Sequence, residues 1–110
     1  MRIEGEDITN LDALSTLTNI ESSFWIINNP NLENLDGLSN IDSVAVNKTS
    51  AQLWIKNNSK LENIEGLNGL TETSEIKITE NINLKTIYGL RNVTSNLWGI
   101  IITENENLKS

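Results

Sequence analysis

Asp12, Asp36 and Glu65 are the side chains whose type and spacing come nearest to chemistry, because they stand at matching places in three successive stretches of the chain. A row of carboxylates suits Ca²⁺, a hard cation that takes oxygen ligands. Such a site needs six or more oxygens, and the loop that supplies them in calcium-binding repeat proteins is missing here. The row reads as a solvated acidic stripe, and no metal or other cofactor is expected. Glycoside hydrolysis needs only two carboxylates, yet no acid stands isolated among apolar residues with a partner placed across a cleft. His and Cys are both absent. That removes imidazole acid–base chemistry, thiolate nucleophiles, disulfides and the usual zinc ligand sets. No Gly-rich phosphate loop follows a strand, and no nucleophile elbow occurs. The expectation is a protein that is not an enzyme.

Charge narrows the partners. A formal net charge of −7 over 110 residues leaves no basic surface to neutralise phosphates, so nucleic acid is excluded as a partner. Anionic membranes are disfavoured for the same reason, and no apolar run approaches membrane-spanning length. Protein and carbohydrate ligands stay open. The start, Met1-Arg2-Ile3-Glu4-Gly5-Glu6-Asp7, carries no apolar signal-peptide core. Either the chain acts inside the cell, or it is a leader-free segment of a longer protein.

The elements that must position any site are written as a repeat. Four times an apolar pair two apart is followed by Asn and then Leu: Phe24-x-Ile26-x-x-Asn29-x-x-Leu32, Leu53-x-Ile55-x-x-Asn58-x-x-Leu61, Ile76-x-Ile78-x-x-Asn81-x-x-Leu84 and Ile100-x-Ile102-x-x-Asn105-x-x-Leu108. The closing leucines lie 29, 23 and 24 residues apart. Three residues on come Leu35, Ile64 and Ile87; five on, Gly37, Gly66 and Gly89; six on, Leu38, Leu67 and Leu90. The same frame is already running at Ile8, Leu11, Ala13 and Leu14. Self-similarity at this period predicts a solenoid, in which one repeat cannot bury its apolar face alone. The expected fold is an all-β-rich, right-handed parallel β-helix or leucine-rich-repeat array. It has about four coils of 23–29 residues, short strands and little helix, and residues 1–110 form a single domain. The alternating pair points inward from each strand. Glycine at plus five suits a tight bend or a close backbone approach. Asn29, Asn58, Asn81 and Asn105 stack into a structural ladder whose amides satisfy backbone groups at the bend.

Phrases such as Leu32-Glu-Asn-Leu-Asp-Gly-Leu-Ser-Asn-Ile41 and Leu61-Glu-Asn-Ile-Glu-Gly-Leu67 resemble leucine-rich repeats, and among them the receptor L-domain-like arrays of cell-surface proteins. The resemblance spans residues 8–108. It implies an extracellular or cell-surface setting and binding rather than catalysis. Two features depart from it: the cysteine-rich caps common in such receptors are absent, and no capping segment is recognisable at either end.

The register also names the outward residues. Between the inward pair stand Trp25, Trp54, Lys77 and Ile101; one step on come Ile27, Lys56, Thr79 and Thr103. Outward Trp in two adjacent repeats suits a sugar face, a cation or a protein hot spot. The competing account is that Trp25 and Trp54 stack on one another along the sheet. Trp98 falls outside the register, in the bend before the last strand, where it is expected to plug a local gap. Between Ile41 and Leu53 the second repeat carries extra residues, and insertions in repeats emerge as loops on one face. Val44-Ala45-Val46 is expected to pack, leaving Asn47-Lys48-Thr49 as an exposed tip beside Trp54.

That tip is an N-glycosylation sequon, as are Asn57-Asn58-Ser59 and Asn92-Val93-Thr94. A chain this rich in Asn, Ser and Thr yields about three by chance, so their number says nothing of location. The function expected is recognition of a protein or glycan partner through the strand face. The contributing residues are Trp25, Trp54, Lys56, Lys77, Thr79, Ile101 and Thr103, flanked by Asn47 and Lys48. The alternative is a structural repeat that self-associates end to end.

Overall fold

Alternation of side chains, not helix propensity, organises the backbone. The computed structural model describes residues 1–109, with the backbone alone over 96–98. The strands are β1 (Arg2–Ile3), β2 (Asn19–Ile20), β3 (Phe24–Ile27), β4 (Ser43–Val44), β5 (Gln52–Lys56), β6 (Glu72–Thr79) and β7 (Ser95–Thr103). Every pairing is parallel, in the order β1-β3-β5-β6-β4-β2, with β7 also on β6. Among the described residues four three-residue 3-10 helices, Asp12–Leu14, Asp36–Leu38, Glu65–Leu67 and Tyr88–Leu90, pack in succession, each against the next.

This architecture corrects the solenoid expectation. The chain does not form separate β-helix or leucine-rich-repeat coils. It closes into a compact body of 31 × 29 × 22 Å around a single seven-stranded parallel sheet. The reason lies in β6. Its sequence, Glu72-Thr-Ser-Glu-Ile-Lys-Ile-Thr79, holds no Gly, Pro or Asn to turn the chain. The strand therefore runs on for eight residues instead of cornering. Its first part pairs with β4 and its second with β5, which joins two arms in one sheet. On the other side of β6 the register with β7 shifts at the same place, two residues from Thr73 to Glu75 facing three from Asn96 to Gly99. The backbone of Trp98 lies inside β7 rather than in a bend. Its expected gap-filling role falls on a side chain outside the described ones.

The inward columns form the core. Phe24, Leu53 and Ile76 are fully buried, as are Ile26, Ile55 and Ile78, and Leu32, Leu61 and Leu84. The outermost member of the first column, Ile100, is 49% exposed because no further strand among the described residues covers it.

The asparagines occupy the corner after each strand. The Asn58 amide nitrogen donates to the Ile26 carbonyl (3.0 Å) and to Asn81 Oδ1 (3.1 Å), and the Asn58 backbone N–H donates to the same oxygen (3.0 Å). Asn81 repeats the arrangement toward Ile55 and Asn105, and Asn105 donates to the Ile78 and Thr103 carbonyls. Asn29 departs from it, because its buried Oδ1 accepts nothing. In the first repeat Ile3 pairs with Ile26, whereas Thr9 lies across from Glu33. One residue fewer separates them, so no backbone N–H arrives at the place where the other rungs donate.

Candidate functional site

The outward strand face is the surface to which the register points. The pairings Arg2↔Trp25, Trp25↔Trp54, Trp54↔Lys77 and Lys77↔Ile101 form one row across it. Parallel pairing at about 4.8 Å brings such side chains into contact. Trp25 and Trp54 meet edge to face, with ring centroids 5.6 Å apart and planes at 85°. That is a favoured aromatic geometry rather than an open platform. The Lys77 ammonium lies 4.5 Å and the Lys56 ammonium 5.0 Å from the Trp54 ring, and the Arg2 guanidinium lies 5.7 Å from that of Trp25. Cations drawn to the negative faces of the indoles occupy surface that a flat sugar ring would need.

The row one step along is partly closed as well. Trp54 Nε1 donates to Thr79 Oγ1 (3.1 Å), and Thr79 and Ile27 are only 6% and 5% exposed. Thr79 is therefore a hydrogen-bond partner of the indole, not a contact available to a ligand. Lys56 pairs with Glu80 at 3.6 Å. Trp25 Nε1, buried, has no acceptor. What remains open is the β7 end: Ile101 is 41% exposed and Thr103 is exposed, with half-buried Lys77 beside Ile101. Among the described residues no carboxylate lies within ion-pair distance of Lys77.

The 42–52 loop behaves as two halves. Val44 and Ala45 are buried, and residues 47–50 are exposed. Ala45, Asn47 and Ser50 all adopt positive φ, at 51°, 62° and 61°. Buried Ser74, at the register shift between β6 and β7, holds the loop through hydrogen bonds from its hydroxyl to the carbonyls of Ala45 and Lys48. No sequence signal marks Ser74; only the pairing of β4 with β6 brings it there. The end of the loop, Thr49 to Ala51, lines a shallow hollow with Gln52 and Glu75.

The acidic row sits at the 3-10 helices. The backbone N–H groups of Asp12, Asp36 and Glu65 donate to the side-chain oxygens of Asn10, Asn34 and Asn63, and Tyr88 N–H donates to Thr86 Oγ1. The two-residue spacing Asn-x-Asp/Glu is the sequence signal for these turns. Arg91 binds Glu65 at 2.8 Å. Among the described residues no group of three or more His, Cys, Asp or Glu is placed to hold a metal ion, and no helix is long and apolar enough to cross a membrane. Two carboxylates are shifted, both downward. Hydrogen bonds from Asn28 and Arg2 lower Glu4, and the Lys85 ammonium at 2.8 Å lowers Glu62. A general acid needs the opposite shift.

No protein-family model matches the chain, and neither a curated protein nor a solved structure matches it.

Proposed function

We propose that this chain is a non-catalytic recognition module that binds a protein or glycan partner through the β7 end of its outward strand face. The observation that carries the reading is Ile101, a large aliphatic residue 41% exposed on an edge strand, in row with Lys77 and Trp54. An exposed apolar anchor rimmed by a cation and a hydroxyl has the make-up of a binding hot spot. The indole pair flanks that surface in the same row, with cations over its rings. The likeness of its repeat phrases to receptor L-domain-like arrays favours a cell-surface setting.

The test compares the wild-type chain with Ile101→Glu and Lys77→Ala on printed glycan and ectodomain arrays, with circular dichroism as the control for folding. Any genuine ligand is expected to lose at least about tenfold in affinity, the equivalent of one apolar anchor. A ligand whose binding survives both changes places the site elsewhere.

End-to-end self-association is favoured by a separate observation. Ile100 belongs to a column otherwise fully buried, and among the described residues no strand lies on the outer side of β7. Sedimentation velocity across a wide concentration range decides it: a chain that stays monomeric throughout removes this reading.

A further inference from the structure

Three sequons that look alike in the sequence are unlike in the structure. An N-glycan acceptor must present two groups to the transferase, the Asn amide nitrogen and the hydroxyl two residues on. In Asn57-Asn58-Ser59 both are engaged. Asn57 Nδ2 donates to Asn28 Oδ1 at 2.9 Å, and Ser59 Oγ donates to the Pro30 carbonyl at 3.5 Å. The middle residue, Asn58, is a fully buried rung of the ladder. In Asn92-Val93-Thr94 both are engaged again. Asn92 Nδ2 donates to the Asn68 carbonyl at 2.7 Å and Thr94 Oγ1 to the Thr71 carbonyl at 3.5 Å, while Val93 packs against the core. In Asn47-Lys48-Thr49 all three residues are exposed, and among the described residues neither the Asn47 amide nor the Thr49 hydroxyl has a hydrogen-bond partner. The segment stands at the exposed end of the loop that Ser74 fastens from below.

We propose that Asn47 is the residue at which this folded chain accepts an N-linked glycan. The proposal rests on the reading of the chain as a surface or exported module. In the step, Asn47 Nδ2 bonds to the anomeric carbon of an oligosaccharide carried on a polyprenyl pyrophosphate. The bond from that carbon to the pyrophosphate oxygen breaks, and its electron pair leaves with the polyprenyl pyrophosphate. The amide proton passes to a base of the transferase. The glycan then extends from the loop without displacing any hydrogen bond of the fold.

The test treats the folded chain with a purified oligosaccharyltransferase and a polyprenyl-pyrophosphate oligosaccharide. Synthetic peptides 44–52, 54–62 and 89–97 are treated in parallel, and sites are mapped by mass spectrometry. All three peptides are expected to be modified, and the folded chain at Asn47 alone. Occupancy of Asn57 and Asn92 in the folded chain should be lower by about tenfold or more, the equivalent of freeing two hydrogen-bonded groups. Asn47→Gln should abolish modification of the folded chain, and Asn57→Gln or Asn92→Gln should leave it intact. A glycan on Asn57 or Asn92 of the folded chain, or an unmodified Asn47, overturns the assignment. Protein taken from its own cells tests the location separately. A bare Asn47 there, with the purified system still modifying it, overturns the exported setting and upholds the acceptor.

Discussion

Gly66 lies so close beneath Leu35 that a Cβ added to it would stand 1.7 Å from the Leu35 carbonyl oxygen. Gly37 meets Leu11 and Gly89 meets Ile64 at 2.0 Å in the same way. None of the three has a positive φ, so glycine is there for close approach of one 3-10 helix to the backbone of the preceding repeat. Backbone on both sides cannot give way as a flexible side chain would. Gly66→Ala is therefore expected to destabilise the fold by about 3 kcal/mol, the upper range for overpacking. Urea denaturation checks it, and a loss below about 1 kcal/mol would show that the helices separate freely.

The ladder should respond unevenly along its length. Asn58→Ala strands the buried Asn29 N–H and the Ile26 carbonyl together, and each orphaned group costs roughly 1–3 kcal/mol. Asn29→Ala strands the part-buried Ile3 carbonyl and also removes an oxygen that had no partner. The expected order is a larger loss for Asn58→Ala, about 3 kcal/mol, than for Asn29→Ala, about 1 kcal/mol. Equal losses in thermal melts would contradict the account of the shortened first repeat.

Asn28, Asn57, Glu80 and Glu104 precede the four rungs, and all take left-handed backbone with φ between 54° and 60°. Asn tolerates that region better than Glu, because its short polar side chain bonds locally. Glu80 also pairs with Lys56, so Glu104 is the cleaner position. Glu104→Asn is expected to stabilise the chain by about 0.5–1 kcal/mol, a fraction of the left-handed penalty. A neutral or destabilising result in chemical denaturation would refute it.

Glu62 is held below the ordinary carboxylate range by the Lys85 ammonium. A carboxyl depressed in the folded state adds stability above its unfolded pKa, and that stability is lost as pH falls through the folded value. Lys85→Met should return Glu62 to the ordinary range, seen by carboxyl NMR titration. It should also flatten the dependence of stability on pH in that acid window. An unchanged Glu62 titration would mean that the exposed pair is not formed in solution.

The site was legible only in part. Trp25, Trp54, Lys77 and Ile101 fall in one row because parallel pairing preserves the spacing of equivalent residues. That Thr79 lies under an indole could not be read from its position in the repeat. Its burial comes from Trp54 on the neighbouring strand, 25 residues away. Ser74 was hidden for the same reason, its partners lying 29 and 26 residues away.

By itself the sequence determined which side chains face inward and the corner that follows each inward pair. Alternation, glycine and asparagine act within a few residues, so their effects can be read locally. Only the tertiary structure decided that β6 joins two arms into one sheet in a compact body. It alone set the indoles edge to face beneath their cations, and left one sequon of three with its acceptor amide and hydroxyl unbound. These outcomes depend on what lies across the sheet from a residue, set by packing between repeats rather than within one.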